Sequence, residues 1–152
     1  MTRNEIREAI QSLFAVFDAE VDTPTRERDL RRALDRLAMA SHFVDVEFDP
    51  SAPSPDDVPS TPYKELSQRL GQLFPGLGYY SVSLDSTDLG EEKPGIGDAI
   101  DDLTDIARDL QEVLLRWETS EVDALWHFQF NFGAHWGQHL RALQLHLHER
   151  AY

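Results

Sequence analysis

The chain has 152 residues, 41% of them hydrophobic, which is enough for one core and short for two, so a single domain over residues 1–152 is expected. It contains no cysteine, which excludes disulfides, thiolate nucleophiles and cysteine-ligated metal sites. The formal net charge of -14 argues against direct binding to nucleic acid or an anionic membrane surface and leaves a basic protein or a cation as the easier partner.

Residues 4–21 place Ile6, Ile10, Leu13, Phe14 and Phe17 on one face of a helix, with Thr2 and Glu5 spaced as a capping box. Thr23-Pro24 then reads as a cap followed by proline at the first helical position. It leads to a second helix with Leu30, Leu34, Leu37, Ala38 and Phe43 inward and Arg28, Arg32 and Arg36 outward. From 45 to 59 the prolines Pro50, Pro53, Pro55 and Pro59 deny a helix, although Val44, Val46 and Phe48 alternate with polar residues. Thr61-Pro62 repeats the cap-then-proline pattern before a third helix through Tyr63, Leu66, Leu70 and Leu73, which Phe74-Pro75-Gly76 stops. Tyr80, Val82 and Leu84 alternate next, so residues 43–48 and 79–84 are the candidates for a small two-stranded β-ribbon.

Residues 85–97 read as a second loop, with Pro94-Gly95-Ile96-Gly97 as a turn. Asp98 caps a fourth helix that reaches Trp117 and buries Ile100, Leu103, Ala107, Leu110, Val113, Leu114 and Trp117. Ser120 and Asp123 cap a long last helix after a short turn, so the two helices should form an antiparallel hairpin. Trp126, Phe128, Phe130, Phe132 and Trp136 give that last helix aromatic residues on more than one side and suggest a central position. The fold class is therefore mainly α: an irregular bundle of about five helices, with the small ribbon as an accessory.

Two constellations carry chemistry. Asp98, Asp102, Asp105, Asp109 and Glu112 form an acidic stripe on the fourth helix, readable as a solvated face, as a surface for a basic protein partner, or as carboxylates opposed by Arg28, Arg32 and Arg36. The last helix holds His127, His135, His139, His146 and His148, among which His135 and His139 stand four apart, the spacing at which two imidazoles reach one divalent transition metal. His-x-x-x-His without a neighbouring Glu motif is common in helices, and a pair of part-buried histidines hydrogen-bonded to protein is the plain alternative. Trp136 and Gly137 sit between them, and Gly133 and Gly137 ask for close approach of another group, because glycine is unfavourable inside a helix.

Pro62-Tyr63-Lys64-Glu65-Leu66, Leu70-Gly71, Phe74-Pro75 and Gly78-Tyr79-Tyr80, together with Phe130-Asn131-Phe132-Gly133-Ala134-His135-Trp136-Gly137-Gln138-His139, resemble a bacterial domain-of-unknown-function family, family 5063, over residues 1–150. That resemblance implies a helical fold and directs attention to His135, Trp136, Gly137 and His139, but it brings no activity, cofactor or partner. The family pattern has an acid two residues before the first histidine, where this chain has Gly133.

The first eight residues lack the apolar core of a secretion signal and no apolar run reaches the length of a membrane span, so a cytoplasmic protein is expected. No phosphate loop, dinucleotide fingerprint or serine-hydrolase elbow occurs. The leading reading is a non-enzymatic interaction or accessory domain with an acidic surface. The alternative is a metal or acid-base site on His135 and His139, with Asp102 or Asp105 supplied across the helical hairpin. Either accommodates a homodimer, since an apolar stripe faces a core or a second subunit equally well.

Overall fold

The structure is a computed structural model that describes residues 1–90 and 93–152. Helix α1 spans Arg3–Asp18 and α2 spans Thr23–Ser41. The expected capping box forms: the Thr2 side chain accepts from the Glu5 N–H, and the Glu5 carboxylate accepts from the Thr2 N–H at 2.6 Å. The turn to α2 is locked by buried Arg26, whose guanidinium donates to the carbonyls of Val16, Ala19 and Val21 at 2.9, 2.8 and 3.3 Å. A cation there also meets the negative end of the α1 dipole.

Both cap-then-proline readings need correction. Asp22 caps α2, its carboxylate accepting from the Thr25 N–H at 2.8 Å, so Thr23 is already helical. Helix α3 spans Tyr63–Leu73 with no side-chain cap, because the Thr61 hydroxyl is taken by Gln111 of α4 at 2.8 Å. Phe43 lies beyond the end of α2 and is half exposed, and Val44 fills the core place instead.

A two-stranded antiparallel sheet is present, but its second strand is not residues 43–48. Strand β1, Tyr79–Val82, pairs with β2, Gly95–Asp98, in the register Tyr80 opposite Gly97. The turn expected at Pro94 to Gly97 is thus largely strand, and of the loop expected at 85–97, Glu91 and Glu92 lie outside the described residues. Segment 44–48 makes no ladder because a side chain satisfies its backbone: the Gln129 amide accepts from the Val46 N–H at 3.0 Å and donates to its carbonyl at 3.4 Å. Gly97 makes the observed pairing feasible, since a Cβ there would sit 2.4 Å from the Tyr80 ring.

Helix α4 spans Ala99–Trp117, capped by Asp98, and packs against α1, α3, α5 and α6, so the centre of the bundle is α4 rather than the last helix. Its apolar face buries Leu103, Ile106, Ala107, Leu110 and Val113 completely. Ser120 caps α5, Glu121–Asn131, accepting from the Asp123 N–H. One π-helical turn, Phe132–Trp136, then joins α5 to α6, Gly137–Ala151, with no side-chain cap at either junction. The aromatic run is divided between environments: Phe128 and Trp136 are buried, whereas Phe130 is 54% exposed and stacks on Trp126 at 4.9 Å. Among the described residues no helix is long and apolar enough to cross a membrane.

Candidate metal centre

The site lies where the π turn and the start of α6 face α4. Gly137 explains that turn: its N–H donates to the Phe132 carbonyl five residues back, and a Cβ on residue 137 would lie 2.2 Å from that oxygen. Gly133 has no comparable neighbour. Trp136 turns into the core against Phe128 and Phe132, at ring separations of 5.0 and 4.8 Å, so its contribution is packing that holds the turn rather than a group aimed at the donors.

His135 and His139 project toward α4 with ring centroids 5.0 Å apart. The His135 Nδ1–H donates to Asp109 Oδ2 at 2.7 Å, and the His139 Nδ1–H donates to Asp102 Oδ1 at 2.7 Å. In the neutral ring, that hydrogen bond leaves Nε2 as a bare lone pair. Both Nε2 atoms face the same carboxylate: Asp105 Oδ2 is 4.0 Å from that of His135 and 3.6 Å from that of His139. These separations are too long for hydrogen bonds. Donor atoms around a tetrahedral ion with bonds of about 2.0–2.2 Å lie roughly 3.3–3.6 Å apart, so modest closure would seat an ion among the three.

The acidic stripe is largely used inside the molecule. Asp98 accepts from the backbone of Ile100, Asp102 and Asp109 hold the imidazoles, Asp105 stands between them, and Glu112 pairs with Arg116 at 2.7 Å. Arg28 and Arg32 pair with Asp29, and Arg36 pairs with Glu8, so they do not oppose the stripe. Among the described residues no lysine or arginine forms an ion pair with Asp101, Asp102, Asp105 or Asp109. Burial, then the charge of Asp101, holds the Asp105 carboxyl above the usual carboxylate range. The hydrogen bond to Asp102 outweighs burial and holds His139 above the ordinary value of 6.5.

Two tyrosines complete the surroundings. The Tyr80 hydroxyl donates to Asp102 Oδ2, and its ring lies against Gly97 on one side and stacks on His146 at 4.6 Å on another. The His146 Nε2–H donates to the Leu77 carbonyl at 2.7 Å, so His146 is occupied as a support for the ribbon. The Tyr63 hydroxyl donates to Asp101. Burial first, then the adjoining carboxylate, raises both phenol pKa values, so both tyrosines remain donors. An open cleft of about 280 Å³ between the ribbon and α6 reaches Asp102 and His139.

Sequence reasoning from spacing alone had no signal for Tyr63 or Tyr80, which reach the site only through tertiary contact. Both do fall within the stretches that carried the family resemblance. His127 is not part of this centre; it sits beside Asp123 at 3.7 Å. His148 is likewise elsewhere, beside Tyr152.

No curated protein matches the chain. A crystal structure of protein BF1032 from Bacteroides fragilis has a similar fold, with a TM-score of 0.77 and 20% sequence identity over 98% of this chain and 91% of that one. A family model described as "Domain of unknown function (DUF5063)" matches residues 28–152, which takes in α3, the ribbon, α4 and both histidines but leaves out α1. The chain belongs to this DUF5063 family.

Proposed function

We propose that the chain binds one divalent transition metal through Asp105, His135 and His139. The observation that carries this reading is the orientation of the two imidazoles. Each has its Nδ1 tied to its own carboxylate, which fixes the ring and aims an Nε2 at a shared third donor. Two imidazoles and one carboxylate suit zinc, iron(II), cobalt or nickel, and three protein donors leave coordination positions for water or a ligand from the cleft. An ion would also offset four neighbouring carboxylates that have no paired lysine or arginine among the described residues. Of the two readings drawn from the sequence, this geometry favours the metal site, because Asp102 and Asp109 turn inward to the imidazoles and Glu112 to Arg116, whereas Asp105 faces both Nε2 atoms.

Metal-stripped protein titrated with zinc should bind one equivalent and unfold at a higher temperature, and His139→Ala should lose both effects. Asp102→Ala, which removes the acceptor that orients His139 and leaves all three donors in place, should weaken binding about 10- to 100-fold. Metal-free protein whose unfolding temperature ignores zinc, cobalt, nickel and iron(II) would overturn the proposal.

A further inference from the structure

Apart from the centre on His135 and His139, α2 and α6 form a cleft of about 390 Å³. Its α2 wall carries Arg28, Arg31 and Arg32, and its α6 wall carries Gln144 and His148. The floor is apolar, formed by the fully buried Leu34 and Leu147. In a chain of net charge -14, three of the 14 basic residues line this one cleft against the carboxylate of Asp35, so the local charge is positive.

The arginines stand at i, i+3 and i+4, where like charges on a helix are neighbours and repel. Asp29 accepts from Arg28 at 3.3 Å and from Arg32 at 3.4 Å, and Asp35, which also lines the cleft, accepts from the Gln144 amide at 2.8 Å. Arg31 differs from both flanking arginines. It is part-buried, it lines the cleft, and among the described residues it makes no ion pair and no side-chain hydrogen bond. Its guanidinium nitrogens reach solvent while its stem is covered, so among the described residues the group has no internal acceptor to give up and is open to an anion entering the cleft.

We propose that this cleft binds a phosphate-bearing small molecule, with Arg31 as its principal anchor and Arg28 and Arg32 closing on the same group. A guanidinium fork matches phosphate oxygens two at a time, and a dianion offsets more of the surplus charge than a single carboxylate does. The strongly acidic remainder of the surface selects for a small ligand. A nucleic-acid strand leaving the cleft would run along repelling carboxylates, whereas a compact phosphate is screened at ordinary salt from carboxylates more than about 8–10 Å away. The site needs no metal, so it stands independently of the centre on His135 and His139.

The test is calorimetric titration of chelator-treated full-length protein with inorganic pyrophosphate at fixed ionic strength, with acetate titrated in parallel. Saturable one-to-one binding is expected for pyrophosphate and not for acetate. Arg31→Gln should reduce affinity about tenfold or more, the scale of one lost charge-assisted pair. Arg28→Gln should weaken binding as well, and Arg69→Gln, which breaks a pair with Asp18 elsewhere on the surface, should leave it unchanged. Pyrophosphate binding that never saturates, acetate binding of equal strength, or an Arg31→Gln protein of unchanged unfolding temperature that binds as tightly as the parent would each overturn the assignment.

Discussion

His127 of α5 and His139 of α6 have pKa values displaced in opposite directions because their neighbours differ. The Asp102 hydrogen bond holds His139 above 6.5, whereas burial, reinforced by Arg116, holds His127 below it. In metal-free protein the His139 contribution to stability is fully present below pH 6.5 and is lost as pH rises through its folded pKa. The His127 contribution has the opposite sign: the unfolded chain takes up that proton first, so stability falls as pH drops from 6.5 toward the folded value. A proton NMR titration of the metal-free protein should place the titration midpoints of the two rings on opposite sides of pH 6.5. Added zinc should abolish the His139 step, since an Nε2 held by metal has no proton to take up.

At the scale of elements, the π turn and the ribbon depart from a plain helical bundle among the described residues, and both place side chains around the Asp102 and His139 pair. The turn depends on a glycine at position 137, where a methyl group would meet the Phe132 carbonyl, whereas position 133 opens onto free space. Gly137→Ala should therefore destabilise the fold by about 1–3 kcal/mol through overpacking. Gly133→Ala should stabilise it by about 0.5–1 kcal/mol through helix propensity. Urea unfolding of the pair is the check, and equal effects at the two positions would remove the turn as the reason for Gly137. The ribbon shows the same dependence on a missing side chain, because Tyr80 can lie over position 97 and reach Asp102 only while that residue is glycine.

For the molecule as a whole, the net charge of -14 means that long-range self-repulsion opposes compaction, and most of the ion pairs that relieve it are solvent-exposed and individually weak. Raising ionic strength from about 0.05 to about 0.5 M shortens the screening length several-fold. The thermal midpoint of chelator-treated protein should therefore rise with added sodium chloride in a calorimetric scan. A fall would mean that the attractive pairs, Arg116 with Glu112 and Asp123 foremost, outweigh the repulsion.

By itself, the sequence determined whatever is encoded within a turn or two of the chain: the mainly helical class, the Thr2–Glu5 box, the Asp98 and Ser120 caps, the short hairpin into α5, and the spacing that puts His135 and His139 on one face. Local signals misled where a distant group competed for the same atoms. Thr61 looks like a cap but bonds Gln111, and residues 44–48 look like a strand but bond Gln129. Only the tertiary structure decided which carboxylate meets which imidazole, that Tyr80 supports Asp102, and that Gly95–Asp98 supplies the second strand. These pairings depend on the relative rotation and register of elements far apart in the chain. Those are set by the packing of the whole core around α4, and no spacing along one helix contains them.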